Sequence, residues 1–179
     1  NEATEGGAIY CEDSSFKLVF NGTRFSNNKA IRGGAIYTKG SMDIKNANFE
    51  NNQADSGGTA IYVNSAMGGS GFLSVGVSNS RFYNSTRAAN KQDHIFATYS
   101  PSTAIPPTIT LNGNWWGKSD TLGVLRESPK GLTYLYNWAK ANWSIKGGTP
   151  VVSGDTSFPV AAKIEYSSGA SVFPSGSFP

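Results

Sequence analysis

Gly6-Gly7-Ala8-Ile9-Tyr10 returns as Gly33-Gly34-Ala35-Ile36-Tyr37, and again as Gly57-Gly58-Thr59-Ala60-Ile61-Tyr62, with one residue inserted at Thr59. A fourth, degenerate copy, Gln92-Asp93-His94-Ile95-Phe96, keeps the apolar and aromatic pair and loses the glycines. Between the copies lies a second unit, two apolar residues one position apart with an aromatic following at a fixed offset. It reads Leu18/Phe20 with Phe25, Met42/Ile44 with Phe49, Val75/Val77 with Phe82, and Ile109/Leu111 with Trp116. Asparagines follow the aromatic: Asn27 and Asn28, Asn51 and Asn52, and Asn84 in a shifted copy. Self-similarity at a spacing of a few tens of residues is the signature of a solenoid, whose units bury their apolar faces only against their neighbours.

The elements of the repeat fit the coil of a right-handed parallel β-helix, an all-β fold of about four coils. A strand sends alternate side chains to opposite faces, so Ile9, Ile36, Ile61 and Ile95 point inward while Tyr10, Tyr37, Tyr62 and Phe96 point outward. Each inward residue stacks on its counterpart roughly 4.8 Å away in the next coil. The expected core is three columns, of Ile, of Leu/Met/Val/Ile and of Phe/Trp. Paired glycines supply the backbone angles of a sharp corner. Asparagines after the aromatic tolerate left-handed angles at the opposite corner and can form amide ladders between coils. Extra residues leave as loops, the longest between Tyr62 and Phe72 and between Phe96 and Pro107, and such insertions often carry specificity.

GGAIY paired with FxxN, as in Gly6–Tyr10 with Phe25-Ser26-Asn27-Asn28 and Gly33–Tyr37 with Phe49-Glu50-Asn51-Asn52, resembles the repeat of chlamydial polymorphic outer membrane proteins and related adhesin-like proteins. The resemblance spans about Gly6 to Gly117. It implies a surface-exposed or secreted β-helix without enzymatic activity. The third copy, Phe82-Tyr83-Asn84-Ser85, breaks the FxxN spacing. Asn114-Trp115-Trp116-Gly117 is similar to a segment found in the last coil of right-handed β-helix surface proteins, and marks the expected end of regular stacking.

Composition agrees with a β-rich chain. Only 15% of the 179 residues are charged and the net charge is +3, with no basic run interleaved with aromatics, so nucleic acid is not an expected partner. The single cysteine, Cys11, excludes an internal disulfide and a cysteine zinc site, and reads as a buried or semi-buried thiol beside Tyr10. No segment approaches the roughly 20 apolar residues of a membrane span. The opening Asn1–Glu5 stands directly before a repeat unit, which suggests natural sequence upstream.

The coils are assigned to residues 1–117, a capping segment to 118–148, and an extended tail to 149–179. Leu132–Trp143 has apolar residues at Leu132, Leu135, Tyr136 and Ala139, the spacing of a short helix. Capping is its economical role, because an open solenoid end exposes unpaired strand edges. The tail carries short apolar runs, Val151-Val152, Val160–Ile164 and Val172-Phe173, punctuated by Pro159, Pro174 and Pro179, which read as one or two strands packing on the solenoid or linking onward.

Parallel β-helices also host polysaccharide lyases and hydrolases, so the chemistry is weighed residue by residue. Such enzymes need clustered carboxylates for acid-base work or calcium binding. Asp43 and Lys45 share a strand face and read as a surface ion pair. His94, the only histidine, reads as turn-exposed, with an Asp93–His94 acid-base dyad as the sharper alternative. No nucleophile elbow of the G-x-S-x-G type occurs. No catalytic residue, cofactor or metal site is expected. The outward column Tyr10, Tyr37, Tyr62 and Phe96 is the candidate contact face: exposed, its rings stack on a glycan or pack on another protein; covered by the C-terminal third, they form a second core. Asn21, Asn84 and Asn142 head sequons that permit N-glycosylation in a eukaryotic or archaeal source.

The function expected is that of a non-enzymatic extracellular or cell-surface module, adhesin-like or structural. Its partners would be a host or neighbouring-cell surface protein or glycan, or other copies of itself. A self-assembling filament or wall subunit is the first alternative, and a polysaccharide lyase or glycoside hydrolase the second.

Overall fold

In the computed structural model, residues 1–65, 73–84, 93–99 and 107–116 are described in full, and 125–128, 134–145 and 160–166 by their backbone. The first circuit of the chain comprises β1 (Glu2–Glu5), β2 (Ile9–Cys11), β3 (Lys17–Asn21) and β4 (Arg24–Ser26). The second repeats it as β5 (Lys29–Arg32), β6 (Ile36–Thr38), β7 (Ser41–Lys45) and β8 (Asn48–Glu50). The third runs through β9 (Gln53–Gly57), β10 (Ile61–Ser65), β11 (Ser74–Ser78) and β12 (Arg81–Tyr83). Then come β13 (Ile95–Tyr99), β14 (Thr108–Trp115), β15 (Leu125–Ser128), β16 (Tyr134–Ile145) and β17 (Val160–Tyr166).

Successive circuits deposit their strands on three parallel sheets. The first is β1-β5-β9, the second β2-β6-β10-β13-β15, and the third carries the two remaining strands of each circuit. This is the all-β parallel architecture that the repeat predicts. Register matches it residue by residue: Ile9, Ile36, Ile61 and Ile95 align across the second sheet. Leu18, Met42, Val75 and Ile109 align across the third, as do Phe20, Ile44, Val77 and Leu111. The rings of Phe25, Phe49, Phe82 and Trp116 stack at 4.9, 4.7 and 4.4 Å, the offset-stacking range of aromatic pairs. Trp116 ends this column with its indole Nε1 buried and unpartnered among the described residues.

The corners explain the repeat's glycines and asparagines. Gly6, Gly33 and Gly58 have φ near +60°, a region that L side chains resist. The second glycine is needed for a different reason: a Cβ on Gly34 would stand 2.2 Å from the Thr59 carbonyl oxygen and 2.4 Å from that of Gln53. After the aromatic, Asn27 and Asn51 take the left-handed angle, while Asn28 and Asn52 build the ladder. The Asn28 amide Nδ2 donates to Asn52 Oδ1 at 2.9 Å, as does the Asn28 backbone N–H at 3.1 Å. Asn52 Nδ2 in turn donates to the Phe25 carbonyl at 2.9 Å. A further left-handed column, Gly22, Asn46, Asn79 and Gly113, turns the chain three residues before each stacked aromatic.

Three expectations are corrected. The inserted residue of the third copy is not Thr59. Gly58 aligns with Gly33 and Thr59 takes the second-glycine position, since Gly34 N–H donates to Gly58 and Ala35 N–H to Ala60. The extra residue is a bulge in β9, where Asp55 and Ser56 stand opposite Ile31. The next circuit meets Thr59 through hydrogen bonds, its backbone N–H donating to the Asp93 carbonyl at 2.9 Å and its hydroxyl to the same oxygen at 3.3 Å. Second, parallel pairing does not end at Asn114–Gly117: β15 pairs with β13 and β16 with β14, both parallel. Third, the stretch expected as a short helix is strand β16, whose later half pairs antiparallel with β17. The open edge of β14 needs backbone partners, and a row of β-favouring aromatics meets that need better than a lone helix. Strand β17 covers the expected Val160–Ile164 run, while Val151-Val152 and Val172-Phe173 lie outside the described residues.

Candidate functional site

The outward residues of β2, β6, β10 and β13 form the aromatic column in register. Tyr10 stacks on Tyr37 at 5.3 Å and Tyr37 on Tyr62 at 5.4 Å, while Phe96 meets Tyr62 edge-on at 5.0 Å. Only the ends are accessible. Tyr37 is 1% and Tyr62 7% exposed, Tyr10 is 50% exposed, and Phe96 is intermediate. The Tyr37 hydroxyl accepts a hydrogen bond from Asn64 Nδ2 at 2.6 Å, and the Arg32 guanidinium lies 6.0 Å from the Tyr62 ring centre.

Charged walls flank the column. On one side Arg32 pairs with Glu5 at 3.2 Å. On the other, Lys39 pairs with Glu12, which also accepts from the Tyr10 hydroxyl. The Lys39 hydrogen bond, with that of Tyr10 behind it, holds the Glu12 carboxyl below the usual carboxylate range, and Glu12 raises Lys39 in return. The bond to Glu12 pushes the Tyr10 phenol up to about 12. Burial raises Tyr62, opposed by the charge of Arg32. These walls were missed in the sequence, although a signal exists: the 27-residue offset joining Ile9 to Ile36 also joins Glu12 to Lys39 and Glu2 to Lys29.

The residues weighed for chemistry are dispersed. Asp43 and Lys45 face each other at 3.4 Å on the exposed side of β7, as a surface ion pair. His94 is not turn-exposed: it is 4% exposed, occupies the alanine position of the repeat, and stacks near Phe82 and Trp116 at 5.5 and 6.0 Å. The reason is local, since the degenerate copy places the imidazole where earlier circuits have Ala35 and Ala60, and the ring fills the core beside the terminal indole. Its Nδ1 lies 3.5 Å from Thr59 Oγ1. Cys11 is buried and its thiol donates to the Asp13 carbonyl at 3.5 Å. Among the described residues no three His, Cys, Asp or Glu side chains gather to hold a metal ion.

The sequon asparagines differ in setting. Asn21 is exposed at the end of β3, and its Oδ1 accepts from Asn46 Nδ2 at 2.9 Å, leaving its own amide nitrogen out of that bond. Asn84 uses its amide nitrogen to reach the Asn52 carbonyl at 2.9 Å. Asn142 lies on β16, opposite Lys163 of β17.

Comparison with known families finds a correspondence across the first and second circuits. Residues 22–39 match the Chlamydia polymorphic membrane protein repeat, covering β4 to the end of β6 with the second GGAIY copy and Asn27-Asn28. The chain therefore carries a repeat of that type. No curated protein and no solved structure gives a significant match.

Proposed function

We propose that this chain is a non-enzymatic, cell-surface β-solenoid module, adhesin-like in role, which presents a rigid lateral face to a surface protein or glycan of a host or neighbouring cell. The observation that carries the reading is the polymorphic membrane protein repeat at residues 22–39, set in a stack whose core columns run unbroken from circuit to circuit. Stacked strands with every inward position filled give a stiff scaffold, and stiffness lowers the ordering cost of binding. The accessible members of the aromatic column, Tyr10 and Phe96, are the rings a glycan or protein would touch, because Tyr37 and Tyr62 are closed. The dispersal of Asp43, Lys45 and His94 favours contact over turnover.

The test is a binding screen of the whole chain against a glycan array and a panel of surface proteins, with Tyr10→Ala and Phe96→Ala beside it. Saturable binding that either substitution weakens supports the reading. Turnover of an acidic polysaccharide, lost on changing Asp43 or His94, would replace it with the enzymatic one.

A second reading, assembly into a filament or wall, is favoured by one observation. Tyr10, Phe16 and Val19 are large apolar side chains at least half exposed, a surface that lateral packing against another copy would cover. Concentration-dependent sedimentation separates the two readings.

A further inference from the structure

We infer that the outward face of β4, β8 and β12, continued by the end of β14, binds an acidic polysaccharide in which a carboxylate-bearing sugar has neutral sugars on either side. This face lies on other strands than the aromatic column, and the inference does not rest on the function proposed for that column. Strand alternation sends Phe25, Phe49, Phe82 and Trp116 into the core and the residue before each of them outward. Those outward residues stand in register from circuit to circuit as Arg24, Asn48, Arg81 and Trp115. They project sideways from the stack, so further circuits would lengthen this row rather than cover it.

Arg81 is the cation of this row that can take a ligand. Arg24 is neutralised by Glu50 at 2.7 Å. Arg81 is exposed, and its Nε donates to Asn48 Oδ1 at 3.1 Å. That bond orients the guanidinium and leaves Nη1 and Nη2 as a fork suited to the two oxygens of a carboxylate. Rings stand beside it in two directions: Trp115, half-buried, is one circuit on, and Tyr83, 40% exposed, is the next outward residue of the same strand. A sugar has an apolar C–H face and a polar rim, so rings set beside hydrogen-bonding groups match it. Spacing and charge narrow the ligand further. Circuits rise by roughly 4.8 Å, about the advance of one sugar in an extended chain, so a polysaccharide lying along the stack places successive sugars on Asn48, Arg81 and Trp115. Asn48 and Trp115 carry no charge, and Glu50 repels a second carboxylate near Arg24, so the sugars beside the acidic one are neutral.

The probe is a hyaluronan octasaccharide, in which a uronic acid alternates with a neutral sugar, titrated into the whole chain by calorimetry. Beside it run its uronate methyl ester, an oligogalacturonate charged at every sugar, and a single-stranded oligonucleotide. Saturable binding of the octasaccharide is expected, with the ester at least about tenfold weaker because it offers the guanidinium no charged oxygen. Arg81→Glu should weaken the octasaccharide by at least about tenfold and Tyr83→Ala by roughly three- to tenfold. Both side chains are exposed, and circular dichroism checks that each variant keeps its fold. Lys17→Ala removes an exposed cation from β3 and should change nothing. No binding of the octasaccharide, equal binding of acid and ester, or tighter binding of the oligogalacturonate or the oligonucleotide overturns the proposal, as does a loss on Lys17→Ala equal to that on Arg81→Glu. Octasaccharide binding that Tyr10→Ala weakens and Arg81→Glu does not overturns it too, and leaves the aromatic column as the contact face.

Discussion

Gly34→Ala tests the geometry on which the stack depends. The added Cβ would lie 2.2 Å from the Thr59 oxygen and 2.4 Å from the Gln53 oxygen. Both are backbone atoms, so no side chain can swing aside. Ordinary contact begins near 3.4 Å, and reaching it requires the second and third circuits to part by about 1.2 Å at this corner, a quarter of the roughly 4.8 Å strand spacing. The hydrogen bonds from Gly33 to Gly57, Gly34 to Gly58 and Ala35 to Ala60 now measure 3.1, 3.0 and 3.1 Å. Stretched past 4 Å they cease to be bonds. At about 1 kcal/mol each, their loss amounts to roughly 3 kcal/mol, a large share of the roughly 5–15 kcal/mol that ordinarily holds a domain together. Urea denaturation followed by circular dichroism should show the midpoint falling by about 1 M or more. Gly76→Ala is the control, because a Cβ there meets the Asp43 Oδ1 at 3.7 Å and the Met42 carbonyl oxygen at 3.9 Å, both ordinary contacts, and should change stability by less than about 1 kcal/mol. If the two variants unfold at the same urea concentration, close backbone approach is not why the second glycine is there.

Phe49→Ala removes the middle of a ring column, with stacked neighbours on both sides, and is expected to cost about 3–5 kcal/mol in the same urea assay; a loss under 1 kcal/mol would show that the column does not bear on stability. Asn52→Ala strips the Asn28 backbone N–H and the Phe25 carbonyl of their partners, so about 2–4 kcal/mol should be lost, whereas Arg24→Ala at the exposed pair with Glu50 should cost less than about 1 kcal/mol. Ultraviolet titration should find the Tyr10 phenol ionising only near 12, and Glu12→Gln should return it toward the ordinary tyrosine value. Because that folded-state value is raised, the Tyr10 contribution to stability is fully present below the unfolded phenol's value and fades as pH climbs from there through about 12. Glu12 behaves oppositely: its lowered value makes a contribution that is present above the unfolded carboxylate value and lost as pH falls through the folded one. Both effects are small at exposed groups, so the titration is read optically and not from denaturation curves.

The repeat itself determined the core. When Ile9, Ile36, Ile61 and Ile95 recur beside an aromatic, with Leu/Met/Val/Ile pairs between them, identical faces must meet identical faces, and periodicity alone settles which residues stack. The asparagine corners were legible for the same reason, although the division between Asn27/Asn51, which bend the chain, and Asn28/Asn52, which bond between circuits, is a matter of geometry. Tertiary structure decided what periodicity cannot express. It moved the third copy's extra residue into a bulge at Asp55–Ser56, because an outward bulge leaves the column of Ala35 and Ala60 undisturbed. It made Tyr134–Ile145 a strand, because the edge of β14 offers hydrogen-bond partners that an isolated segment lacks. It buried His94 where the repeat has alanine, and closed Tyr37 and Tyr62 while leaving Tyr10 open. Sequence specifies which side chains recur. Burial depends on what else reaches the same surface, and only the folded chain brings those groups together.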